Sequence, residues 1–292
     1  MRSMLFVPGD SERKFRKAME IGADALILDL EDSVAAEQKP AARITTAGLL
    51  GEVKSQSGRP QLYVRINPLD TPLWSDDLAA VMPMQPDGIV LPKPTSGEDV
   101  NQLAVALDHG EQPAGTPLGS TRILPIVTEV AASVLLLHTY INASSRMSAL
   151  SWGAEDLSSQ IGATTNRGPD GDFTSPYRMV RDLSLMTAVA ASAQPIDTVY
   201  VNFRDEPGLE KEAREAARDG FTGKIAIHPA QVAPINAAFT PSANEIARAQ
   251  RIVDVFNENP TAGVASLDGE MLDRPHLVLA ERVLERARSA GQ

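Results

Sequence analysis

Glu129 and Asp156 are the residues of this 292-residue chain whose placement first suggests chemistry. Each follows a short apolar run, Ile123 to Val127 in one case and Met147 to Trp152 in the other. The stretch that begins at Ala131 carries Val134, Leu137, His138 and Ile141 at helical rather than alternating spacing. A strand, a helix and a second strand, with an acid just past the end of each strand, is how a parallel α/β fold gathers reactive groups on one face. The chain has no cysteine, so a metal there could draw only on oxygen and imidazole ligands. No histidine is patterned close to either acid, and two carboxylates completed by water suit Mg²⁺, which keeps much of its hydration shell. Capping of the following helices accounts for both acids equally well, because carboxylates are favoured at helix N-termini.

Positioning such a pair takes a repeated strand-helix pattern, and the chain supplies one. Strands are expected at Arg2 to Val7, Ala25 to Leu30, Leu62 to Ile66, Gly88 to Leu91, the two runs already named, Thr198 to Val201 and Lys224 to Ile227. Helices are expected at Ser11 to Ile21, Ala41 to Lys54, Leu73 to Met82, Glu98 to His109, Ala131 to Tyr140, Ser175 to Ala193 and Leu209 to Asp219. This alternation favours a closed (β/α)8 TIM barrel over an open doubly wound sheet, and no G-x-G-x-x-G follows the first strand to support a dinucleotide fold. Two regions fall outside the repeat. Gly153 to Thr174, rich in Ser, Thr, Gly and Asp, is expected to be an active-site loop. The tail carries a helix from Pro241 to Asn257, a break at Asn259-Pro260 to Gly263, a hairpin from Val264 to Leu272 turning at Asp268-Gly269, and a helix from Pro275 to about Ala287. The expected division is a barrel over residues 1–240 and a C-terminal lid over 241–292, which closes the barrel mouth or docks on a neighbouring subunit.

In a parallel barrel the C-terminal strand ends share one face. Here that face would collect Asp29, Glu31, Asp32, Arg65, Lys93, Glu129, Asp156, Asn202, Arg204 and His228. A metal among them could polarise an α-keto acid or stabilise an enolate, with Arg65 gripping the substrate carboxylate through its two-pronged guanidinium. The chemistry implied is the making or breaking of a carbon-carbon bond beside a carbonyl. Each residue also has a structural reading. Arg65 could pair with Glu31 or Asp32, Lys93 between two prolines could be surface, and His228 before Pro229 could be a capping residue. His109 and His138 fall on helices and read as structural. The net charge of −11 disfavours a nucleic-acid partner, and no apolar run approaches the length of a membrane span. The apolar start meets Pro8-Gly9-Asp10 too soon for a signal peptide, so a cytoplasmic location is the expectation.

These residues also stand in motifs. Ser3-Met4-Leu5-Phe6-Val7-Pro8-Gly9-Asp10, Lys17-Ala18, Leu28-Asp29-Leu30-Glu31-Asp32-Ser33-Val34, Lys39 with Ala42-Arg43, and Val64-Arg65-Ile66-Asn67 lie in the first quarter. Leu91-Pro92-Lys93, Thr128-Glu129, Gly153-Ala154-Glu155-Asp156-Leu157, Ile227-His228-Pro229 and Gly269-Glu270-Met271-Leu272-Asp273 follow. Taken together they resemble the citrate lyase β-subunit-like (CitE-like) proteins of the HpcH/HpaI aldolase superfamily, which includes malyl-CoA and citramalyl-CoA lyases. The resemblance implies a (β/α)8 barrel, usually trimeric, whose C-terminal segment covers a neighbour's site. It implies Glu129 and Asp156 as Mg²⁺ ligands and Arg65 as the holder of the keto-acid carboxylate. Asp29, Glu31 and Asp32 would support the metal waters and Arg65. Arg13 and Lys17, beside the Pro8-Gly9-Asp10 turn, would belong to the coenzyme A pocket. Asp273 would act from the adjacent subunit as the proton-transfer group. One departure stands out: the family commonly follows its metal glutamate with Thr, where this chain has Val130.

The expected function is therefore a Mg²⁺-dependent carbon-carbon lyase that cleaves a carboxylated 3-hydroxyacyl-CoA into a keto acid and an acyl-CoA. Malyl-, citramalyl- and citryl-CoA are all compatible substrates. The rival readings are a CoA-independent class II pyruvate aldolase, a malyl-CoA thioesterase, and a non-catalytic subunit that binds an acyl-CoA.

Overall fold

The computed structural model describes residues 1–258 and 263–292. The break expected at Asn259-Pro260 lies outside them. Two compact units are resolved by their internal contacts, Met1–Asn236 and Ala237–Gln292.

The first unit is a closed barrel of eight parallel strands in sequential order. They are β1 (Ser3–Pro8), β2 (Ala25–Asp29), β3 (Gln61–Arg65), β4 (Gly88–Leu91), β5 (Arg122–Val127), β6 (Ala149–Trp152), β7 (Gln194–Asp197) and β8 (Gly223–Ala226). The strands are apolar on both faces because the barrel is filled by side chains within and covered by helices without. Met4, Ala25, Ile27, Tyr63, Val90, Leu124, Ile126, Ala149, Ile196 and Ile225 pack together in the interior. Their spacing of two within β2 and β5 is the period of a strand. The same period carries the inward face of β2 from Ala25 and Ile27 on to Asp29, and that of β3 from Tyr63 on to Arg65. Asp29 and Arg65 are opposed in register, so the pairing that closes the barrel also brings acid and base together at its mouth.

Around the barrel run α1 (Glu12–Ala18), α2 (Lys39–Val53), α3 (Leu73–Val81), α4 (Gly97–Ala114), α5 (Ala131–Leu135), α6 (Glu155–Ile161), α7 (Ser175–Ala190) and α8 (Glu206–Asp219). Several sequence expectations need correction. The seventh strand is Gln194–Asp197 and not Thr198 to Val201. Pro195 argues against a central strand, yet it is accommodated early in β7, and Thr198 and Val199 instead line the cavity beyond its end. The segment from Gly153 to Thr174 is not all loop, since its first part is α6. The helix expected over Ala131 to Tyr140 divides into α5 and a separate 3-10 turn at Leu137–Tyr140. α2 begins two residues early because a proline in a first turn forfeits no helical hydrogen bond. A helix at Val232–Phe239, α9, follows β8 and has no counterpart among the expectations.

In the second unit, α10 (Ala243–Glu258) and α11 (Arg274–Ser289) accompany an antiparallel hairpin of β9 (Val264–Leu267) and β10 (Glu270–Asp273). The turn residues Asp268 and Gly269 have φ of 53° and 82°, the left-handed conformations that tight hairpins require. Ala249, Ile252, Phe256, Leu267, Leu272, Ala280 and Leu284 form the core of this unit. Among the described residues no helix is long and apolar enough to cross a membrane.

Candidate active site

A cavity of about 380 Å³ opens at the C-terminal ends of the barrel strands. Asp29, Asp32, Arg65, Glu129, Gly153 and Asp156 line it, with Phe6, Trp152, Ile225 and Ile227 among its apolar walls. Arg65 donates from Nε and Nη2 to the two oxygens of Asp29, at 2.7 Å each. Its Nη1 lies 3.0 Å from Glu31 Oε2, and its guanidinium sits 4.5 Å from the centre of the Phe6 ring. Asp29 also accepts the backbone N–H groups of Glu31 at 3.0 Å and Ser33 at 3.1 Å. Burial pushes the Asp29 carboxyl up, but Arg65 and these donors outweigh it and hold the group below its ordinary range. Burial likewise opposes the Arg65 charge, and the surrounding acids raise its pKa nevertheless. The structural pairing considered for Arg65 is thus present with Glu31, while its main partner is Asp29. The same side chain still lines the cavity.

Glu129 reaches the cavity through a distortion of the backbone. Strict alternation from Leu124 and Ile126 would turn residue 128 inward and residue 129 outward. Thr128, however, has φ of 76°, a conformation β-branched residues rarely adopt, and it re-aims the residue that follows. Glu129 is 4% exposed, and its Oε2 accepts the Lys93 backbone N–H at 2.6 Å. Burial, then the nearby negative charge of Asp156, pushes the Glu129 carboxyl up to about 8. Gly153 on the neighbouring strand end packs so closely that a Cβ there would overlap the Glu129 side chain.

Capping does not account for Glu129, because α5 has Val130 at its N-cap with no side-chain cap, and the Ala131 N–H goes to Gln160 Oε1 at 2.8 Å. Asp156 occupies the first turn of α6, where its charge suits the helix N-terminus, and its side chain is 36% exposed on the cavity side. The Gln160 hydrogen bond couples the segment bearing Asp156 to the one bearing Glu129.

Lys93 lies between these acids. Its Nζ bonds to Glu31 Oε1, lies 2.9 Å from Asp32 Oδ2 and 3.4 Å from Asp156 Oδ1. Glu31 is raised chiefly by burial, against the pull of Arg65 and Lys93. Sequence reasoning left Lys39 without a role. Its ammonium donates to the Leu30 and Glu31 carbonyls at 2.9 and 2.8 Å and to Asn67 Oδ1 at 2.6 Å, bracing the acidic segment from below. The signal in the sequence was a lysine beside Pro40 in a loop with no other cation, which is too weak to read alone.

The donor set fits a hard divalent cation. Glu129 offers Oε1, which makes no hydrogen bond among the described residues, and Asp156 offers a partly exposed carboxylate on the same cavity. Among the described residues no three potential ligands are clustered, so the protein would supply two carboxylates and leave the other positions to water or substrate. Within the first unit, other expected residues are not brought to this cavity. Arg13 and Lys17 are on the exposed side of α1 and do not line it. Asn202 and Arg204 are exposed beyond β7, and His228 caps a 3-10 turn at Pro229–Gln231, accepting the Ala230 N–H and stacking on Phe203. Asp273 belongs to the second unit, where it heads α11 with its Oδ1 2.5 Å from His276 Nδ1.

Comparison with known proteins gives concordant matches. The family model for HpcH/HpaI aldolase/citrate lyase matches residues 2–229. A citrate lyase subunit beta of Leuconostoc mesenteroides subsp. cremoris is 34% identical over 98% of this chain and 93% of its own length. A (3S)-malyl-CoA thioesterase of Cereibacter sphaeroides is 33% identical over 98% of this chain and 94% of its own. Among solved structures, the CitE protein of Mycobacterium tuberculosis in complex with magnesium, acetoacetate and coenzyme A superposes with a TM-score of 0.79 at 32% identity, covering 99% of this chain and 100% of that one.

Proposed function

Since the chain belongs to the HpcH/HpaI aldolase/citrate lyase family, we propose that it is a Mg²⁺-dependent lyase acting on a carboxylated 3-hydroxyacyl-CoA such as malyl-, citramalyl- or citryl-CoA. The observation that carries this reading is the meeting of Glu129, Asp156 and Arg65 on one cavity at the barrel mouth. Glu129 and Asp156 would hold the ion, which when bound supplies positive charge for the hydroxyl oxygen and carboxylate of the substrate. Arg65, kept in place by Asp29 and Glu31, would orient the carboxylate. Its remaining hydrogen-bonding capacity and its fixed charge favour an anionic group at the cavity wall. The apolar walls formed by Phe6, Trp152 and Ile225 limit water around the reacting carbons.

Cleavage breaks the bond between the carbinol carbon and the carbon next to the thioester. The hydroxyl gives up its proton to solvent water and becomes the keto oxygen, and the bonding pair passes to the thioester as an enolate. Asp273, delivered by a second copy of the chain as the family resemblance implies, would protonate the enolate carbon and release acyl-CoA. The exposed cations Arg13 and Lys17 on α1 are the proposed contacts for the coenzyme's phosphates.

The test is a panel of malyl-, citramalyl- and citryl-CoA with Mg²⁺, following keto acid, acyl-CoA and free CoA together. Equal amounts of keto acid and acyl-CoA are expected. If none of the thioesters is cleaved and none binds, the lyase reading is abandoned. Release of free CoA with no accumulating acyl-CoA would favour the second reading, a thioesterase, to which the likeness to the Cereibacter sphaeroides protein points.

A further inference from the structure

The residue that contacts both proposed ion ligands is Lys93, and it does so through two different groups. Its backbone N–H fixes Glu129 Oε2 at 2.6 Å, and its ammonium stands 3.4 Å from Asp156 Oδ1 while bonding to Glu31 and Asp32. The backbone at Lys93 is built to bring this about. With Val90 facing the interior, alternation would send residue 93 away from the barrel axis, and φ of 50° turns it back. Pro92 and Pro94 stiffen the turn on either side, and the Tyr140 hydroxyl, 3.3 Å from the Pro94 carbonyl, ties it down. A lysine in the left-handed region costs on the order of 1 kcal/mol relative to an extended one, so the surroundings hold it there.

We propose that the Lys93 ammonium is a tethered counter-cation for the divalent-ion site, neutralising the Glu31, Asp32 and Asp156 carboxylates when no ion is bound and competing with the ion for Asp156. This rests on the assignment of Glu129 and Asp156 as ion ligands. Two observations and one property of lysine carry it. Glu31 is 3% exposed and shares Arg65 with Asp29, so a second cation is needed for its charge. Lys93 is the second cation on the Glu31 carboxylate itself, with its side chain 26% exposed, whereas Lys39 is taken up by backbone carbonyls and Asn67. Finally, a lysine ammonium is a compact point charge on a flexible stem, and it can shift away from Asp156 while still bonded to Glu31 and Asp32, where an arginine fork would be harder to displace. Its release would leave Asp156 to the ion while Glu31 and Asp32 keep their partner.

The inference predicts a sign that a purely bracing role does not. If Lys93 merely positions the ligands, its loss weakens ion binding. If it competes, its loss strengthens ion binding, since a positive charge a few ångströms from the ion disappears. Mg²⁺ affinity is measured by calorimetric titration of the full chain, wild type against Lys93→Met and Lys93→Arg. The Lys93→Met variant is expected to bind Mg²⁺ on the order of tenfold more tightly, and Lys93→Arg, whose fork is harder to displace, to bind it no more tightly than wild type. Melting in EDTA and in excess Mg²⁺ gives a second readout. Lys93→Met is expected to lose more stability than wild type in EDTA and to recover it with Mg²⁺. Lys93→Gln takes its place should the methionine variant fail to fold in either condition. Equal or weaker Mg²⁺ binding by the neutral variant, in a wild type that does bind Mg²⁺, overturns the Lys93 inference and leaves the ion site standing. A wild type that does not bind Mg²⁺ removes the ion site, and the inference with it.

Discussion

Opposite ends of the same barrel carry buried acids in contrasting company. Before the N-terminal ends of β5 and β6, Glu111 is fully buried and completely answered. Arg146 donates to its two oxygens at 2.8 and 2.6 Å, and the N–H groups of Thr121 and Gly119 add bonds of 2.7 and 2.8 Å. Burial opposes the charge, but Arg146 and the backbone donors outweigh it and draw the Glu111 carboxyl down to about 2. At the C-terminal ends Glu129 is as deeply buried and has one backbone N–H and no cation of its own, so its carboxyl is driven up to about 8. A barrel built only for stability would treat both ends like the first. The difference supports the proposed reading of the second as a ligand site, where a buried carboxyl lacks the partners that would settle its charge, in keeping with the general division of labour between the two faces of this fold.

The strongest way to break the contrast is to remove each acid's charge. Glu129→Gln is expected to lower turnover on the reactive thioester by a factor on the order of 10³ or more, because it withdraws an ion ligand. Its stability in EDTA should be no lower than wild type, since a neutral amide replaces a carboxyl that burial already disfavours as an anion. Steady-state kinetics and urea unfolding check the two halves. An active variant, or one that is inactive because it is unfolded, defeats the assignment.

At the other end the effects should be reversed. Arg146→Met leaves the buried Glu111 without its cation and is expected to cost about 3–5 kcal/mol in unfolding free energy. Turnover per folded molecule should be unchanged. A stable variant with impaired turnover would mean that the two ends are not functionally separate.

The pH dependence of stability sharpens the same point without mutation. Glu111 has its pKa lowered in the fold, so its contribution is full above about 4.5 and is lost as pH falls toward about 2. Glu129 has its pKa raised, so the folded, ion-free protein keeps a proton that the unfolded chain releases. Its contribution is full below about 4.5 and is lost as pH rises through about 8. Melting curves in EDTA should therefore show stability rising out of the acid range and declining again toward pH 8. Excess Mg²⁺ should flatten the decline and leave the acid limb untouched. A decline unaffected by Mg²⁺ would place its origin outside the ion site.

How much of this could be read beforehand follows from what each feature depends on. The barrel was legible because strand and helix periods are local, and β1 through β6 fall where apolar runs end in turn residues. β7 was misplaced because Pro195 hides it and Thr198 to Val201 imitate it. Glu129 and Asp156 were legible as strand-end acids, and the register that pairs Asp29 with Arg65 follows from parallel neighbours once the strands are known. The aim of Glu129 was not legible, since it depends on positive φ at Thr128, which no local rule assigns to a β-branched residue. Nor were the contacts of Lys93, whose partners are drawn from three distant segments.

Thr128 offers the smallest and most specific test. A β-branched residue in the left-handed region is disfavoured by about 1–2 kcal/mol, and glycine there is free of that cost. Glycine in turn adds freedom to the unfolded chain, which costs about 0.4–1 kcal/mol. The hydroxyl is a minor loss, because its contacts with Gly153 are long, at 3.3 and 3.4 Å. Thr128→Gly should accordingly raise stability by no more than about 1 kcal/mol in urea unfolding. Mg²⁺ affinity should fall, because the glycine no longer commits the backbone to the one conformation that turns Glu129 into the cavity. Thr128→Ala keeps the Cβ and loses the hydroxyl and the buried γ-methyl, so it should bind Mg²⁺ nearly as wild type does while gaining no stability. If the alanine and glycine variants lose affinity equally, the threonine's hydroxyl and γ-methyl are what hold Glu129, and the strained backbone is incidental to the site.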